Sequence, residues 1–266
     1  VGNDIYAGIA YTPGAGGGGF NFGELSPGAI TVRVFYDRNA NGVYDNNDTG
    51  ITGITVTLTG TTDVGYPIGP IVLNSGPGSN SVSFNPLGPG VYSLVETQPS
   101  GYVDGASIIG TYFGGMPGLN RIDAVTIVTP GFGGSGYAFT EQKVGLSGFL
   151  YQDANNNRFH DDSEYSFNQV TVALSGTGGS ALFSTTLSGY DGFYLFSGVP
   201  SGTYQITTTQ YSSYLDSFDQ PGAIDGVPSG MSGTLGTDRI SAIGYPAGGV
   251  GLNYNFGDDT IFFDEA

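Results

Sequence analysis

The pentapeptide Tyr137-Ala138-Phe139-Thr140-Glu141 decides how this chain is built, because it occurs three times. It returns as Phe20-Asn21-Phe22-Gly23-Glu24 and as Tyr254-Asn255-Phe256-Gly257-Asp258, so the central Phe steps from 22 to 139 to 256 in equal intervals. Upstream of each copy lies a matching segment: Asp4-Ile5-Tyr6-Ala7, Arg121-Ile122-Asp123-Ala124 and Arg239-Ile240-Ser241-Ala242. Pro/Gly-rich turns such as Thr129-Pro130-Gly131 stand between the two parts. Self-similarity at a fixed period marks tandem units. Residues 26–142 and 143–259 are two complete units of ordinary domain size. Residues 260–266 are a tail, and 1–25 read as the closing hairpin of a preceding or partner unit.

Inside each unit the strands alternate. Thr55-Val56-Thr57-Leu58-Thr59 and Thr171-Val172-Ala173-Leu174-Ser175 have period 2, and Phe193-Tyr194-Leu195-Phe196 and Tyr204-Gln205-Ile206-Thr207 continue the pattern. Such runs between Gly/Pro turns predict antiparallel sandwiches. With 48 Gly, 14 Pro and no sustained 3.6-residue period, a mainly helical fold is excluded. The expected fold is all-β: two tandem Ig-like β-sandwiches plus an extra N-terminal β-hairpin.

Charge narrows the function. There are 23 acidic residues against 6 basic ones, a net charge of −17. Six cations cannot assemble a nucleic-acid surface. The absence of Cys removes disulfides and thiolate metal sites. No run approaches the ~18 apolar residues of a membrane span. No charged-then-apolar leader stands at Val1, as expected of an exported chain whose signal has been removed.

The acids concentrate in two loops. The first runs from Asp37 to Asp48, with side-chain oxygens at Asp37, Asn39, Asn41, Asp45 and Asp48, Gly42 at position 6 and the Val43 carbonyl at position 7. This is the twelve-residue spacing of an EF-hand-type Ca²⁺ loop. Alternate residues of a tightly wound loop point inward, so positions 1, 3 and 5 converge on one ion. The second unit repeats the set in Asp153, Asn155, Asn157, the Phe159 carbonyl, Asp161 and Glu164. Hard oxygen donors select Ca²⁺ over zinc or copper. Two departures stand out. Asp48 is one methylene shorter than the usual Glu, and Arg158 holds position 6, where a left-handed backbone costs roughly 1–2 kcal/mol. The alternative is a pair of Asn/Asp-rich turns that bind nothing. Strands flank the loops, so a bound ion would staple each unit rather than switch it. If a site bound with Kd ~10 µM, millimolar calcium would add about 2.7 kcal/mol; sub-micromolar cytosolic calcium would not fill it, which favours an extracellular location.

These loops lead into Gly53-Ile54-Thr55-Val56-Thr57-Leu58 and are followed by Gly189-Tyr190-Asp191-Gly192-Phe193-Tyr194-Leu195-Phe196 and Pro200-Ser201-Gly202-Thr203-Tyr204. The first unit adds Gly88-Pro89-Gly90-Val91-Tyr92 and Glu96-Thr97-Gln98-Pro99-Ser100-Gly101-Tyr102. As a set they resemble the B-type repeats of serine-aspartate-repeat surface adhesins, within the collagen-adhesin B-type class. The resemblance implies prealbumin-like sandwiches, calcium-stabilised and used as extracellular spacers in tandem arrays. It admits more than one Ca²⁺ per unit, with Asp104, Asp123, Asp191 and Asp216 as unranked candidates. Some members of the class carry Lys–Asn/Asp isopeptide bonds. The only lysine here is Lys143, at the unit junction, where an exposed linker residue is expected. Gln210-Tyr211-Ser212-Ser213-Tyr214 departs from the class pattern.

Other motifs are weak. Gly14 to Gly19 contains G-x-G-x-x-G, but strand-like Phe20-Asn21-Phe22 comes next where a dinucleotide site needs a helix. His160, the lone histidine, is expected to face solvent at loop position 8, and no nucleophile elbow accompanies it. Asn47-Asp48-Thr49 is a glycosylation pattern inside the acidic loop. No catalytic constellation emerges, and an enzyme is not expected. The expectation is an extracellular structural stalk, adhesin or fibre subunit braced by Ca²⁺. Its partners would be neighbouring repeats or identical subunits, the latter through strand addition by 1–25. The alternative is a module that binds a glycan or host-surface protein through its loops.

Overall fold

A computed structural model describes residues 7–10, 12–21, 26–128, 131–177, 183–209, 214–234 and 237–260. No helix occurs among them. Unit 1 comprises β1 (Gly28–Tyr36), β2 (Thr49–Gly50), β3 (Thr55–Thr62), β4 (Pro67–Asn74), β5 (Ser81–Leu87), β6 (Gly90–Thr97), β7 (Val103–Ile108), β8 (Met116–Gly118), β9 (Arg121–Ile127) and β10 (Gly133–Gln142). Strands β2-β1-β10-β7 form one sheet, with β5 also on β1; β4-β3-β6-β9-β8 form the other.

Unit 2 comprises β11 (Gly145–Gln152), β12 (Thr171–Thr177), β13 (Phe183–Leu187), β14 (Phe193–Phe196), β15 (Gly202–Thr208), β16 (Tyr214–Gln220), β17 (Ala223–Ile224), β18 (Val227–Pro228), β19 (Met231–Ser232), β20 (Arg239–Tyr245), β21 (Val250–Leu252) and β22 (Asn255–Thr260). Its sheets, β16-β22-β11-β21-β17-β18 with β14 on β11, and β13-β12-β15-β20-β19, repeat the plan of unit 1. The place of β10 is taken by β21 and β22. At that break a Cβ on Gly148 would lie 1.9 Å from the Tyr254 carbonyl oxygen, so only glycine fits.

Period-2 alternation does the sorting. Along β3, Val56 and Leu58 are fully buried while the threonines lean outward; along β6, Tyr92 and Leu94 face in. Each unit closes over its own core: Ile30, Val34, Leu58, Leu94, Ile122 and Phe139 in the first, and Leu146, Leu174, Ile206, Ile240, Tyr254 and Phe256 in the second.

Two findings amend the sequence reading. Pairing is antiparallel except between the first and last strands of each unit, where β1 runs parallel to β10 and β11 to β21 and β22. Moreover, the segments read as a closing hairpin do not pair in the complete units. Strand β9 bonds β6 and β8, whereas β10 bonds β1 and β7, so they belong to opposite sheets. The reason is that both present apolar residues inward (Ile122 and Val125, Tyr137 and Phe139), which pack across the core rather than side by side. The first copy falls largely outside the described residues; 7–10 and 12–21 carry no strand.

Because β1 and β10 point the same way, Asp37 and Lys143 leave unit 1 at the same end. The Asp37 N–H donates to the Glu141 carbonyl (3.1 Å) and Gln142 Nε2 donates to the Asp37 carbonyl (3.1 Å). The first acidic loop therefore stands at the unit junction.

Candidate metal centres

The two loops fold alike and share the hydrogen bonds that shape them. At position 1, Asp37 Oδ1 and Oδ2 accept from the N–H groups of Asn41 (3.2 Å) and Gly42 (2.8 Å); Asp153 accepts from those of Asn157 (3.0 Å) and Arg158 (2.9 Å). Position 3 accepts from the position-5 N–H, and position 5 from the position-7 N–H, through Asn39 and Asn41 in one loop and Asn155 and Asn157 in the other. The amides of positions 3 and 5 gather on Oδ2 of position 9: Asn41 Nδ2 to Asp45 at 2.7 Å, Asn157 Nδ2 to Asp161 at 2.7 Å. Val43 and Phe159 expose their side chains, so what they offer the loop is main chain.

Both departures resolve within this frame. Asp48 reaches as far as Glu164 does: each accepts from the N–H of position 2 (Arg38 or Ala154, both 3.1 Å) and of position 9 (Asp45, 3.1 Å; Asp161, 3.0 Å). Arg158 adopts φ +70°, matching Gly42 at +73°, so the strained backbone is accepted rather than avoided. The bond from its N–H to Asp153 holds it there.

Each loop thus collects three carboxylates with no cationic side chain bonded to them among the described residues. Asp37 is 1% exposed and Asp153 is fully buried. Burial raises the pKa of Asp37 and Glu164, and carries Asp48 to about 7, with the charges of Asp45 and Asp37 adding to it. Oxygen donors and excess negative charge, gathered around a buried first aspartate at a solvent-facing loop, describe a set that suits a small hard cation.

The remaining sequence candidates separate cleanly. Asp123 pairs with Arg121 (2.5 Å) and Asp191 with Arg38 (2.5 Å), so both are occupied by side chains. Asp104 and Asp216 instead lie at corresponding points of the two units, opposite Glu141 and Asp258 respectively. Around Asp216, carboxylate oxygens of Asp216, Asp219 and Asp238 come within 4.8 Å of one another. Around Asp104 stand Glu96, Glu141 and Asn120, which the sequence reading passed over. Their signal was a break in phase: Glu96 follows Tyr92 and Leu94, and Glu141 follows Tyr137 and Phe139, at inward-facing positions where the alternation calls for apolar residues.

Two further expectations are corrected, those for His160 and Lys143, and the glycosylation pattern is found buried. His160 does not face solvent; it stacks on Phe149 (4.6 Å) and lies against Tyr151, and burial lowers its pKa to about 4. Lys143 is no free linker residue, since its ammonium sits 5.2 Å from the Tyr36 ring and 5.0 Å from the Tyr102 ring. Asn47 is 6% exposed, and its amide donates to Asp162 (2.6 Å), which closes the glycosylation pattern. Among the described residues, the Gly14 to Gly19 stretch and Phe20-Asn21 after it carry no helix.

Tandem sandwiches whose first and last strands pair in parallel, each with an acidic loop after its first strand, define a class of repeated β-sandwich modules. The chain belongs to the SdrD B-like domain family, whose model matches residues 28–111 and 136–248. It is 30% identical over 207 residues to serine-aspartate repeat-containing protein D of Staphylococcus aureus strain Newman, covering 76% of this chain and 15% of that protein. It is 28% identical over 181 residues to serine-aspartate repeat-containing protein F of Staphylococcus epidermidis, covering 68% of this chain and 10% of that one. The chain therefore spans a small part of the length of these relatives. Among solved structures, the shaft pilin SpaA of Lactobacillus rhamnosus GG aligns over 90% of this chain and 99% of its own at 8% identity; its TM-score of 0.30 is too low to bear on the fold. The family is one of extracellular surface adhesins, and this chain is a cell-surface repeat segment of that structural class.

Proposed function

We propose that this chain is a calcium-braced stalk segment, in which the loops Asp37–Asp48 and Asp153–Glu164 each hold one Ca²⁺ and the first also brackets the two units together. One observation carries the reading: the first loop reaches into unit 2 from three of its residues. The Arg38 guanidinium pairs with Asp191 and lies 4.6 Å over the Phe193 ring; the Asn39 carbonyl accepts from Asn253 Nδ2 (3.2 Å); Asn47 donates to Asp162 of the second loop. Phe193 in turn packs on the core of unit 1, edge-on to Tyr36. A cation fixing the loop would thus fix the angle between the sandwiches.

Calcium bound to the folded loops and not to the unfolded chain stabilises by mass action, and supplies positive charge where three carboxylates converge. Asp37, Asn39, Asn41, Asp45 and Asp48, with the Val43 main chain, would hold the first ion. Asp153, Asn155, Asn157, Asp161 and Glu164, with the Phe159 main chain, would hold the second. The experiment is calcium titration by calorimetry with small-angle scattering on the same samples. Two loop sites, and a narrower spread of inter-unit distances with calcium, are expected; no heat, and one scattering curve with and without chelator, would sink the reading.

A second reading has an observation of its own. Tyr112 (79% exposed) stacks on Phe132 (57% exposed) beside exposed Val128, an apolar platform on unit 1 away from the loops. It suits a sugar face or an apolar host-protein side chain. Tyr112→Ala should abolish binding on a glycan or host-protein array if this face is adhesive.

A further inference from the structure

The outer face of β1 in unit 1 is open where its counterpart in unit 2 is closed. In unit 2 three rings fill that face: His160 stacks on Phe149 (4.6 Å), and Phe193 lies against Phe149 (5.2 Å). The Arg38 guanidinium, arriving from unit 1, then covers Phe193 and pairs with Asp191. The strand registers place Arg33 of unit 1 where Phe149 stands, and Ser81 where Phe193 stands. The Val34 N–H donates to the Asn80 carbonyl as the Leu150 N–H donates to that of Gly192, which puts Ser79 in the place of Asp191. Tyr44 replaces His160 at loop position 8.

With two of the three rings exchanged for Arg33 and Ser81, a cleft of about 360 Å³ opens between the first acidic loop and the sheet. Val43 and Tyr44 line it from the loop, Ile108 from β7, and Ser81 and Ser135 bring hydroxyls. Behind it Phe35, 1% exposed, packs edge-on to Tyr44 (5.2 Å). The Arg33 guanidinium lies 4.4 Å over the Tyr44 ring, and the residue is exposed. Neither ion pair among the described residues includes it. On a chain of net charge −17, this guanidinium rests on an aromatic ring and has no carboxylate beside it.

We propose that this cleft binds the carboxylate of a uronic acid residue, in a polysaccharide where the acid alternates with neutral sugars. The planar fork of arginine matches a carboxylate with parallel hydrogen bonds. Unit 2 closes the same face with a guanidinium–carboxylate pair, the guanidinium coming from the incoming unit and the carboxylate from the seat. In unit 1 the seat holds the guanidinium, so the incoming group supplies the carboxylate. A densely charged polyanion would meet one cation here and the repulsion of the whole acidic chain. A sugar acid brings a single charge, with hydroxyls for Ser81 and Ser135 and an apolar face for Tyr44 and Ile108. The volume falls at the low end for small-ligand sites, which suits a sugar ring. An acidic peptide has no strand edge to join, because β1 is flanked by β10 on one side and by β2 and β5 on the other.

The full chain is titrated by calorimetry and NMR with three probes. These are methyl β-D-glucuronide, methyl β-D-glucoside, which lacks the carboxylate, and a capped acidic tripeptide with one glutamate, which lacks the sugar. The glucuronide should bind at least tenfold tighter than either. Arg33→Gln, which removes the charge at similar length, should erase that preference. Ser81→Phe, which copies Phe193, should fill the cleft and abolish binding. Equal affinity for the glucoside, or an Arg33→Gln chain that still prefers the glucuronide, would overturn the proposal. So would a tripeptide that binds as tightly, which would assign the cleft to an acidic protein segment. Sedimentation at rising concentration covers a second copy as occupant: self-association that Arg33→Gln removes would also overturn the sugar. Should Ser81→Phe fail to fold, the exposed Arg33→Gln change decides alone.

Discussion

The two acidic loops share most of their shaping hydrogen bonds, made with different residues. Asp48 does the work of Glu164 although it is shorter, and Arg158 holds the φ of Gly42 although it is strained. Backbone N–H groups of the loop set its shape, and any side chain that presents an acceptor at the right position serves. The loops differ instead in what they lean on. Position 8 is Tyr44 beneath the Arg33 guanidinium (4.4 Å) in unit 1, and His160 on the Phe149 ring in unit 2. Arg33 is paired across the strands with Ser81, whereas Phe149 is paired with Phe193. Unit 2 has an aromatic seat on that face because unit 1 sits on it; unit 1 has polar residues there. The repeats share a plan, and the junction between them belongs to one of them only.

The largest test of that comparison is to break each loop separately. Asp37→Ala and Asp153→Ala should each cost the unit concerned its ion, worth about 2.7 kcal/mol at a hundredfold excess over Kd. For a unit of this size that is on the order of 10 °C of melting temperature, read by calorimetry in calcium. Only Asp37→Ala should also broaden the inter-unit distance distribution in scattering or spin-label measurements. Equal broadening by both variants would mean the first loop has no special hold on the junction.

Next in size is pH without metal. Burial raises Glu96 to about 9 and both Glu141 and Asp48 to about 7. Acids whose folded pKa lies above the unfolded value stabilise when protonated, and that stability is lost as pH climbs through the folded pKa. In chelator the chain should therefore melt several degrees higher at pH 5 than at pH 9. In excess calcium the trend should reverse, because acid competes with the ion. A flat profile in chelator would show that these carboxyls are better solvated than their burial indicates.

Arg38→Ala should cost less, about 1–2 kcal/mol of coupling from one partly exposed ion pair and a cation–π contact. It should appear as two calorimetric transitions where the parent shows one. Smallest is Arg158→Gly, expected to raise the melting of unit 2 by a few degrees through relief of roughly 1 kcal/mol of left-handed strain. Gly42→Arg should lower unit 1 in mirror fashion, and Arg158→Gly without effect would mean the loop backbone relaxes.

Much of this was legible in the residues. Val56 and Leu58 alternating with threonines announced a strand with one buried face, and the recurring Tyr-x-Phe announced the repeat. Twelve-residue spacing identified both loops, because their oxygen-bearing residues lie close in the chain and local backbone geometry gathers them. Less was visible at Glu96 and Glu141. They are far apart in sequence, and only the pairing of β10 with β1 and β7, opposite β6, brings them face to face. The supposed hairpin failed for the same reason: strands adjacent in the chain crossed between sheets to bury Ile122 and Phe139 against each other.

Composition, period and loop spacing by themselves settled an all-β chain of two repeated units with acidic, oxygen-rich loops, since each of those properties is written within a dozen consecutive residues. Tertiary structure alone decided which strands share a sheet, that the first loop stands at the junction, and that Lys143 and His160 lie against aromatic rings. Those outcomes depend on apolar faces meeting across distances that local preference does not encode, and burial then determined which charges were left without a partner.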